Sequence, residues 1–392
     1  MQHAASAVAM NDTPQRAAGH SLAVEVFAGP AEAIEAWRTL FAHGHSTLYQ
    51  NPAMGALYAA HIAPAEGLEA KFALLRDASG APALLMPMEL SAHTGVRIAE
   101  TLGGKHCNYL MPLMAKGLAR SVSGAELEEM IRRCGAAAGA DIVALRNLPK
   151  EWDGAETPYA RLRHQASPSF AYSTPLVADP EANLQALRSS SARRRLRRYM
   201  RRLEEMGDVV IERCREVQDA EAAMETYFAQ KHERMKTLGL KNVFDLEHVR
   251  AFYMALCRAE AGDGGHLDLY RLRVGADVAA IWAGIHHGTR WSGMITSFDQ
   301  EKFGTLHAAE IMIMMMLADL CRRGFTSFDL GIGEARYKND WCSTADELID
   351  IFVPVTAKGR IAAPLLAAAY RAKRYVKQNP RLKEMALKAS AA

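Results

Sequence analysis

The chain has 392 residues, of which 49% are hydrophobic and 23% are charged, a composition that predicts a globular protein long enough for two domains. The formal net charge of +3 is too small to argue for nucleic-acid binding by itself. The longest apolar run, residues 311–317, is far shorter than the roughly 20 residues that a bilayer-spanning helix needs, which excludes a membrane span.

Residues 1–20 are small and polar, and they lack the charged start and apolar core of a signal peptide, so we expect a disordered tail. The six cysteines are scattered without a C-x-x-C pair or a metal-site spacing. This pattern predicts reduced thiols, a cytoplasmic protein and no bound metal. A first domain is expected over residues 21–165. Hydrophobic patterning there predicts a hairpin of two strands at 71–76 and 81–90, a helix at 125–138 and a further strand at 141–146.

The same order of elements recurs at an offset of roughly 190 residues, which suggests two copies of one mixed α/β unit. The second copy is expected over residues 175–360, with the boundary near 165–179 and its two prolines. Its pattern predicts a hairpin of two strands at 267–273 and 278–286, a strand at 291–298, a buried helix at 306–322 and a final strand at 325–330.

An arginine-rich helix opens the second copy. Seven arginines lie between Arg193 and Arg202, around a narrow apolar stripe, and we expect Ser191 to cap the helix and Gly207 to end it. An anionic acceptor, nucleic acid, an anionic membrane and a merely solvated basic face are all compatible with this pattern. Tyr199 is the only aromatic residue among the arginines, so nucleic acid is disfavoured. We favour an anionic acceptor bound by three of them, Arg194, Arg197 and Arg201.

The last predicted strand leads into a polar loop with two glycines, Gly331 and Gly333. Glycines loosen a loop and let its backbone approach a ligand. The corresponding exit of the first copy, residues 147–150, offers little chemistry. We therefore assign the cofactor to the second copy and a wall of the acceptor cleft to the first.

Several motifs together resemble one family: Ser297-Phe298-Asp299, Phe328-Asp329-Leu330-Gly331, Tyr337-Lys338, Trp341, the arginine-rich helix and His232-x-Arg234. This combination is similar to the CelD-like and Fem-like branch of the GNAT-superfamily acetyltransferases. The resemblance covers most of residues 175–357, whereas residues 22–165 match only in pattern. It implies a mixed α/β fold of two tandem GNAT-like acyltransferase domains, the first of them degenerate. One departure is the turn before the buried helix, where the family usually has Pro-Gly and this chain has residues 302–305.

The resemblance also implies an acetyl-CoA or other acyl-CoA donor, held between two splayed parallel strands. The diphosphate would then sit on amides that precede the buried helix, where the helix dipole favours anions. The residues expected to bind the donor are Ser297, Phe298, Lys302, Gly304, Thr305 and Leu306.

Transfer to an amine requires a proton acceptor and a donor to the oxyanion. Candidate donors are Lys338, which the Fem-type resemblance favours, and Tyr337. Candidate bases are Asp299, Glu301 and His232. Each has an ordinary alternative role: Asp299 as a helix cap, His232 as a surface histidine, and Lys338 as an ion-pair partner of an aspartate at 329 or 340. Further acceptor contacts are expected from Arg234, Arg336 and Trp341.

The sequence thus predicts transfer of an acyl group from acyl-CoA to an amine of a small-molecule or lipid-linked sugar, used for extracellular polysaccharide. The acceptor class comes from the resemblance alone. The alternatives are a Fem-like transferase that uses aminoacyl-tRNA and a non-catalytic module that binds an anionic polymer. Residues 361–392 predict a basic helix that docks on the core or contacts the inner membrane surface, and docking is the expectation.

Overall fold

The computed structural model describes residues 23–93, 95–259, 267–379 and 382. The expected N-terminal tail and most of the chain after residue 379 lie outside the described residues. The first unit consists, in chain order, of β1 (Val24–Phe27), α1 (Pro30–His43), α2 (Pro52–His61), β2 (Glu69–Arg76), β3 (Pro82–His93), β4 (Val96–Thr101), β5 (Leu113–Met114), α3 (Lys116–Ser121), α4 (Gly124–Ala137), β6 (Ile142–Pro149), β7 (Glu151–Trp152), β8 (Ala155–Glu156) and β9 (Gln165–Pro175).

The second unit follows directly and ends in a long helix. Its elements are α5 (Pro180–Leu187), α6 (Ser190–Glu204), β10 (Val209–Cys214), α7 (Val217–Thr237), α8 (Glu247–Arg258), β11 (Asp268–Val274), β12 (Asp277–His287), β13 (Arg290–Phe298), α9 (Gln300–Phe303), α10 (Ala308–Arg322), β14 (Ser327–Ile332), α11 (Arg336–Trp341), β15 (Thr344–Pro354) and α12 (Ala357–Gln378).

A thirteen-stranded mixed sheet contains every strand except the β7–β8 ribbon, in the order β1-β2-β3-β4-β6-β15-β9-β14-β13-β12-β11-β10, with β5 beside β3. In the first unit β1 to β4 pair antiparallel and β4 then pairs parallel with β6. In the second unit β10 to β13 pair antiparallel and β13 then pairs parallel with β14. The same topology therefore occurs twice, which confirms the predicted repeat of a mixed α/β unit.

The two units exchange their last strands at the middle of the sheet. Strand β9 pairs with β14 of the second unit, and β15 pairs with β6 of the first. The two exchanged strands also pair with each other. The segment around 165–179, expected at the boundary between the copies, thus contains a central strand, and separating the units would break three ladders.

Three apolar cores lie around the sheet. The central core joins α1 and α2 of the first unit to α7 and α8 of the second, through side chains such as Trp37, Tyr58, Tyr227 and Phe252. A second core packs α6, α10 and α11 on the strands of the second unit. A third packs α4 on the strands of the first unit and on β15. The central core therefore packs helices of the two units directly against each other.

Several helix boundaries differ from the sequence prediction. The side chain of Ser189, not Ser191, caps α6 by accepting a hydrogen bond from the amide of Ala192. The predicted loop at 299–305 is two short helical turns, and α10 begins only at Ala308 because His307 adopts a left-handed conformation with φ of 55°. The C-terminal helix begins at Ala357, and one of its faces packs on β9 and β15.

No single helix among the described residues is long and apolar enough to cross a membrane. The bent pair of 300–306 and 308–322 passes that test together, by length and composition only.

Candidate active site

Strands β13 and β14 separate partway along their length. They pair in parallel only at three positions, from Arg290 with Ser327 to Ser292 with Asp329. Beyond these positions β13 continues to Phe298 and β14 to Ile332 without pairing with each other, so a gap opens between the two strands. A bulge in β13 leaves Met294 without a partner on β12, and such bulges redirect the backbone near functional sites.

Asn108, from the first unit, bridges the two strands where they diverge. Its amide nitrogen donates to the carbonyl of Gly293 on β13, over 3.2 Å, and to the hydroxyl of Tyr49. Its amide oxygen accepts from the amide of Ile332 on β14, over 3.2 Å. Gly331 makes this approach feasible, because it has a φ of 70° and an added Cβ would lie 2.2 Å from the Asn108 nitrogen.

Two buried tyrosines of the first unit support the floor of the gap. Tyr49 lies 2.8 Å from the hydroxyl of Ser292, and Tyr109 donates to a carboxylate oxygen of Asp329 over 2.9 Å. Asp329 is fully buried and has Arg290 at 3.4 Å as its cationic partner. Burial raises the pKa of Asp329 from its usual value, and this arginine opposes the rise. The first unit therefore completes the site on the second.

Lys338 places a cation beside the gap. Its Nζ donates to the carbonyl of Ile332 over 2.7 Å and lies 3.4 Å from that of Gly331, and the residue is 7% exposed. Burial lowers the pKa of Lys338 to about 8, against the opposing attraction of Asp329. The expected ion pairs do not form, because Asp329 is paired with Arg290 and the aspartate at 340 with Arg188. Among the described residues, no carboxylate forms an ion pair with this lysine.

A cavity of about 250 Å³ adjoins the bulge of β13. The loop after β4, the turn between α7 and α8, and β13 supply its lining residues, Lys105, His106, Asn108, Val243, Phe244, Tyr253, Met294 and Ile295. His106 is buried and its Nδ1 lies 3.3 Å from the Tyr253 hydroxyl, whereas its Nε2 has no partner in the structure. Burial lowers the pKa of His106 to about 4, so the imidazole is neutral at pH 7 and can accept a hydrogen bond.

The equivalent position of the first unit is filled by side chains of β4, β6 and α12. Strands β4 and β6 pair in parallel up to Glu100. Glu100 is ion-paired with Arg146 on β6, and Arg146 also donates to the hydroxyl of Tyr370 over 2.6 Å. The open gap consequently belongs to the second unit.

The predicted bases occupy ordinary structural positions. Asp299 caps α9 by accepting a hydrogen bond from the Lys302 amide over 2.9 Å. His232 is exposed on α7 and lies 3.1 Å from a carboxylate oxygen of Asp245. Neither side chain lines the cavity. Tyr337 packs edge-on against Trp282, and burial raises its pKa to about 12, so it stays a neutral phenol.

The segment predicted to bind the donor uses much of its polar capacity internally. The hydroxyl of Ser297 donates to Gln230, and Lys302 forms an ion pair with Asp277. Phe298 and Leu306 pack against the core of the second unit, and Thr305 lies between them in the chain. Four amides between residues 302 and 307 already have acceptors, those of residues 302, 303, 304 and 307. The first turn of α10 also carries Glu310, which pairs with Arg188.

The predicted acceptor residues fall into two groups. Arg194, Arg197 and Arg201 are exposed on α6, and Arg336 is exposed at the start of α11, while Arg234 is half-buried on α7. Trp341, in contrast, is fully buried beneath the guanidinium of Arg188, 4.8 Å from its ring centroid. The expectation for this tryptophan is wrong, because its ring is part of the core and cannot touch an acceptor.

Helix α6 lies beside the N-terminus of α10. The ring of Tyr199 stacks on that of His307, with centroids 4.1 Å apart and an angle of 15° between the planes. Tyr199 lies on the buried face of α6, whereas Arg194, Arg197 and Arg201 lie on the opposite side of the helix and face away from this contact.

Sequence reasoning expected the first unit to supply a wall of the acceptor cleft but did not identify the residues Tyr49, His106, Asn108 and Tyr109. The pair Gly103-Gly104, followed by polar residues, could have indicated this contribution. This segment follows β4 in the first unit, just as residues 299–307 follow the equivalent strand β13 in the second. Among the described residues, no group of three His, Cys, Asp or Glu side chains is arranged to hold a metal ion.

Comparison with known proteins agrees with this geometry. Residues 190–339 match the family model described as an acetyltransferase (GNAT) domain. FemX superposes with a TM-score of 0.55 at 10% identity, over 82% of this chain and 99% of that chain. The C-terminal domain of a protein assigned as a lysylphosphatidylglycerol synthetase, from Agrobacterium fabrum, gives 0.52 at 11% identity, over 87% and 96%. A search of curated protein sequences finds no match. Residues 190–339 are therefore similar to a GNAT acetyltransferase domain, and the chain shares its overall fold with FemX.

Proposed function

We propose that the second unit transfers an acyl group from acyl-CoA to an amine at the gap between β13 and β14. The observation that carries this proposal is the buried ammonium of Lys338, hydrogen-bonded to the strand end that borders the gap. A cation held in a dry environment stabilises developing negative charge more than it would in water.

The proposed chemistry assigns a role to each side of the gap. When the amine attacks the thioester carbonyl, a C–N bond forms and the carbonyl oxygen becomes an oxyanion. Lys338 is the group that stabilises this oxyanion. The C–S bond then breaks, the thiolate leaves, and the proton lost by the amine neutralises it. The bulge at Met294 exposes backbone next to the same gap and helps to position the acyl group.

The cavity beside the bulge is the proposed entry for the acceptor amine. Its volume of about 250 Å³ is below the range of about 300 to 1,000 Å³ that is typical of sites for whole drug-sized ligands. The cavity therefore fits the amine-bearing end of a larger acceptor, and His106 accepts a hydrogen bond from that end. An amino sugar, free or lipid-linked and used for extracellular polysaccharide, suits this requirement, and its selection rests on the CelD-like resemblance.

Aminoacyl-tRNA is the second candidate donor. Two observations favour it: α6 carries a row of exposed arginines, and the amides before α10 are largely used in internal hydrogen bonds. A long polyanion would gain from such a row of cations, whereas the diphosphate of coenzyme A needs free amides.

A single assay separates the two donors. Purified protein is incubated with radiolabelled acetyl-CoA and a panel of amino sugars, and in parallel with charged tRNA, with the Lys338→Met variant as control. We expect acyl transfer to an amine from one of the two donors, and its loss in the variant. Absence of binding and transfer with both donors would contradict the proposal and favour the non-catalytic module.

A further inference from the structure

Helix α12 has two apolar faces, only one of which is covered. The first carries the buried Gly359 and Ala363 and packs on β9 and β15. An added Cβ at Gly359 would lie 1.8 Å from the carbonyl of Asp141, so the helix is held close to the sheet. The orientation of α12 is thereby fixed.

The opposite face of α12 is exposed and apolar. Ile361, Leu365 and Tyr375 are 74%, 69% and 67% exposed, more than any other large hydrophobic side chain among the described residues. Together with two exposed alanines, at 368 and 372, they recur every three or four residues, which places them on one side of the helix. Three exposed hydrophobic residues on one stripe are a continuous surface rather than scattered exceptions.

Basic residues border this apolar stripe. Residues 357–378 contain six lysines and arginines and no aspartate or glutamate. Arg360 and Arg371 lie along one edge and Lys373 along the other, and all three are exposed. Arg360 and Arg371 also line a cavity of about 570 Å³, to which the loop before β9 adds Arg163 and His164. Two carboxylates, Glu128 and Asp350, also line this cavity, so its three arginines leave it with a net positive lining. Two features therefore coincide: an apolar surface, and a recess with an excess of cations that suits an anionic head group.

We propose that α12 rests in the plane of an anionic lipid bilayer, with Ile361, Leu365 and Tyr375 among the acyl chains and the flanking cations at the phosphates. Interfacial helices combine an apolar face with lysines and arginines in this manner, and anionic lipids attract such cations. Because α12 carries six basic residues and no acidic ones, an anionic bilayer is favoured over a second copy of the chain, whose α12 would place six more cations against the first six. The inference is independent of the acyl-transfer proposal, because it concerns binding alone.

Co-sedimentation with vesicles tests the inference on the full chain. Vesicles of phosphatidylcholine with phosphatidylglycerol are compared with vesicles of phosphatidylcholine alone. We expect binding to the anionic vesicles that weakens with salt, and at least about tenfold weaker partitioning of an Ile361→Gln/Leu365→Gln variant. An Arg360→Glu/Lys373→Glu variant should lose the preference for anionic vesicles. Val177→Gln and Lys236→Glu, exposed residues outside α12, are the matched controls and should bind normally.

Three outcomes would overturn the inference. The wild-type protein fails to sediment with anionic vesicles, or the α12 variants sediment as well as the controls. Alternatively, light scattering shows that the wild-type protein is a dimer and that the Ile361→Gln/Leu365→Gln variant is a monomer, which would make this face a contact between copies. Circular dichroism and melting temperature confirm that each variant is folded, which is expected because the substituted side chains are exposed.

Discussion

Replacing Lys338 by methionine should separate catalysis from stability. Burial lowers the pKa of this lysine from 10.5 to about 8. This change corresponds to roughly 3 kcal/mol of destabilisation while the lysine is charged in both the folded and the unfolded state. Loss of the hydrogen bond to the Ile332 carbonyl costs about 1 to 3 kcal/mol in the opposite direction. The variant should therefore melt at or above the wild-type temperature at pH 7.

The same variant should lose about 10² to 10³ in kcat, the usual cost of removing one oxyanion donor. The assay pairs turnover with thermal melting at pH 7 and pH 10. Because the pKa of Lys338 is lower in the folded protein, its penalty is full below pH 8 and disappears as the pH rises toward 10.5. Any stability advantage of the variant should then shrink at pH 10. Near-normal turnover of a folded variant would refute the role of Lys338, and a large loss of melting temperature would make it a structural residue.

The remaining predictions concern other parts of the site. Wild-type kcat should fall above pH 8 as Lys338 loses its proton, and Lys338→Arg should move that limb to higher pH; an unchanged pH–rate profile would contradict this. Gly331→Ala should lower the free energy of unfolding more than Gly333→Ala. Both glycines have a positive φ, which costs an alanine about 1 to 2 kcal/mol, but a Cβ at position 333 would meet no atom within 4 Å. Equal losses of the free energy of unfolding in denaturant titrations would contradict the Asn108 bridge. His106→Phe should raise the acceptor KM about tenfold, the value of one hydrogen bond, with the donor KM unchanged; an unaltered acceptor KM would exclude the cavity. Replacing Arg194, Arg197 and Arg201 by glutamate should raise the KM of an anionic acceptor and flatten the salt dependence of that KM, without changing acetyl-CoA affinity. Equal losses of affinity for both ligands would indicate misfolding.

Local patterns predicted the repeated unit because each hairpin and each buried helix carries its own periodicity. The exchange of β9 and β15 left no comparable signal. Strand β9 pairs with strands that lie more than 150 residues later in the chain, and nothing in residues 165–175 indicates which partner they select. Such pairing is decided by tertiary contacts and not by strand propensity.

Within the site, Lys338 could be selected from its motif, but its surroundings could not. The ordinary alternative to a catalytic role was an exposed side chain paired with an aspartate, whereas packing buries the lysine against backbone carbonyls. Asn108 and Tyr49 reach the gap from positions about 185 to 243 residues away in sequence. Residues 299–305 were expected to be a loop containing Gly304, although the Asp299 side chain caps a helical turn there.

Hydrogen–deuterium exchange with bound donor tests the central claim most directly, because the two units offer equivalent strands in one molecule. Peptides from the part of β13 that does not pair with β14, residues 293–298, are compared with peptides from β4, residues 96–101, in the presence and absence of acetyl-CoA or aminoacyl-tRNA. The account predicts that one of these donors slows exchange in β13 and leaves β4 unchanged. Protection of β4 alone, or no protection of β13 by either donor, would contradict the placement of acyl transfer at the gap between β13 and β14.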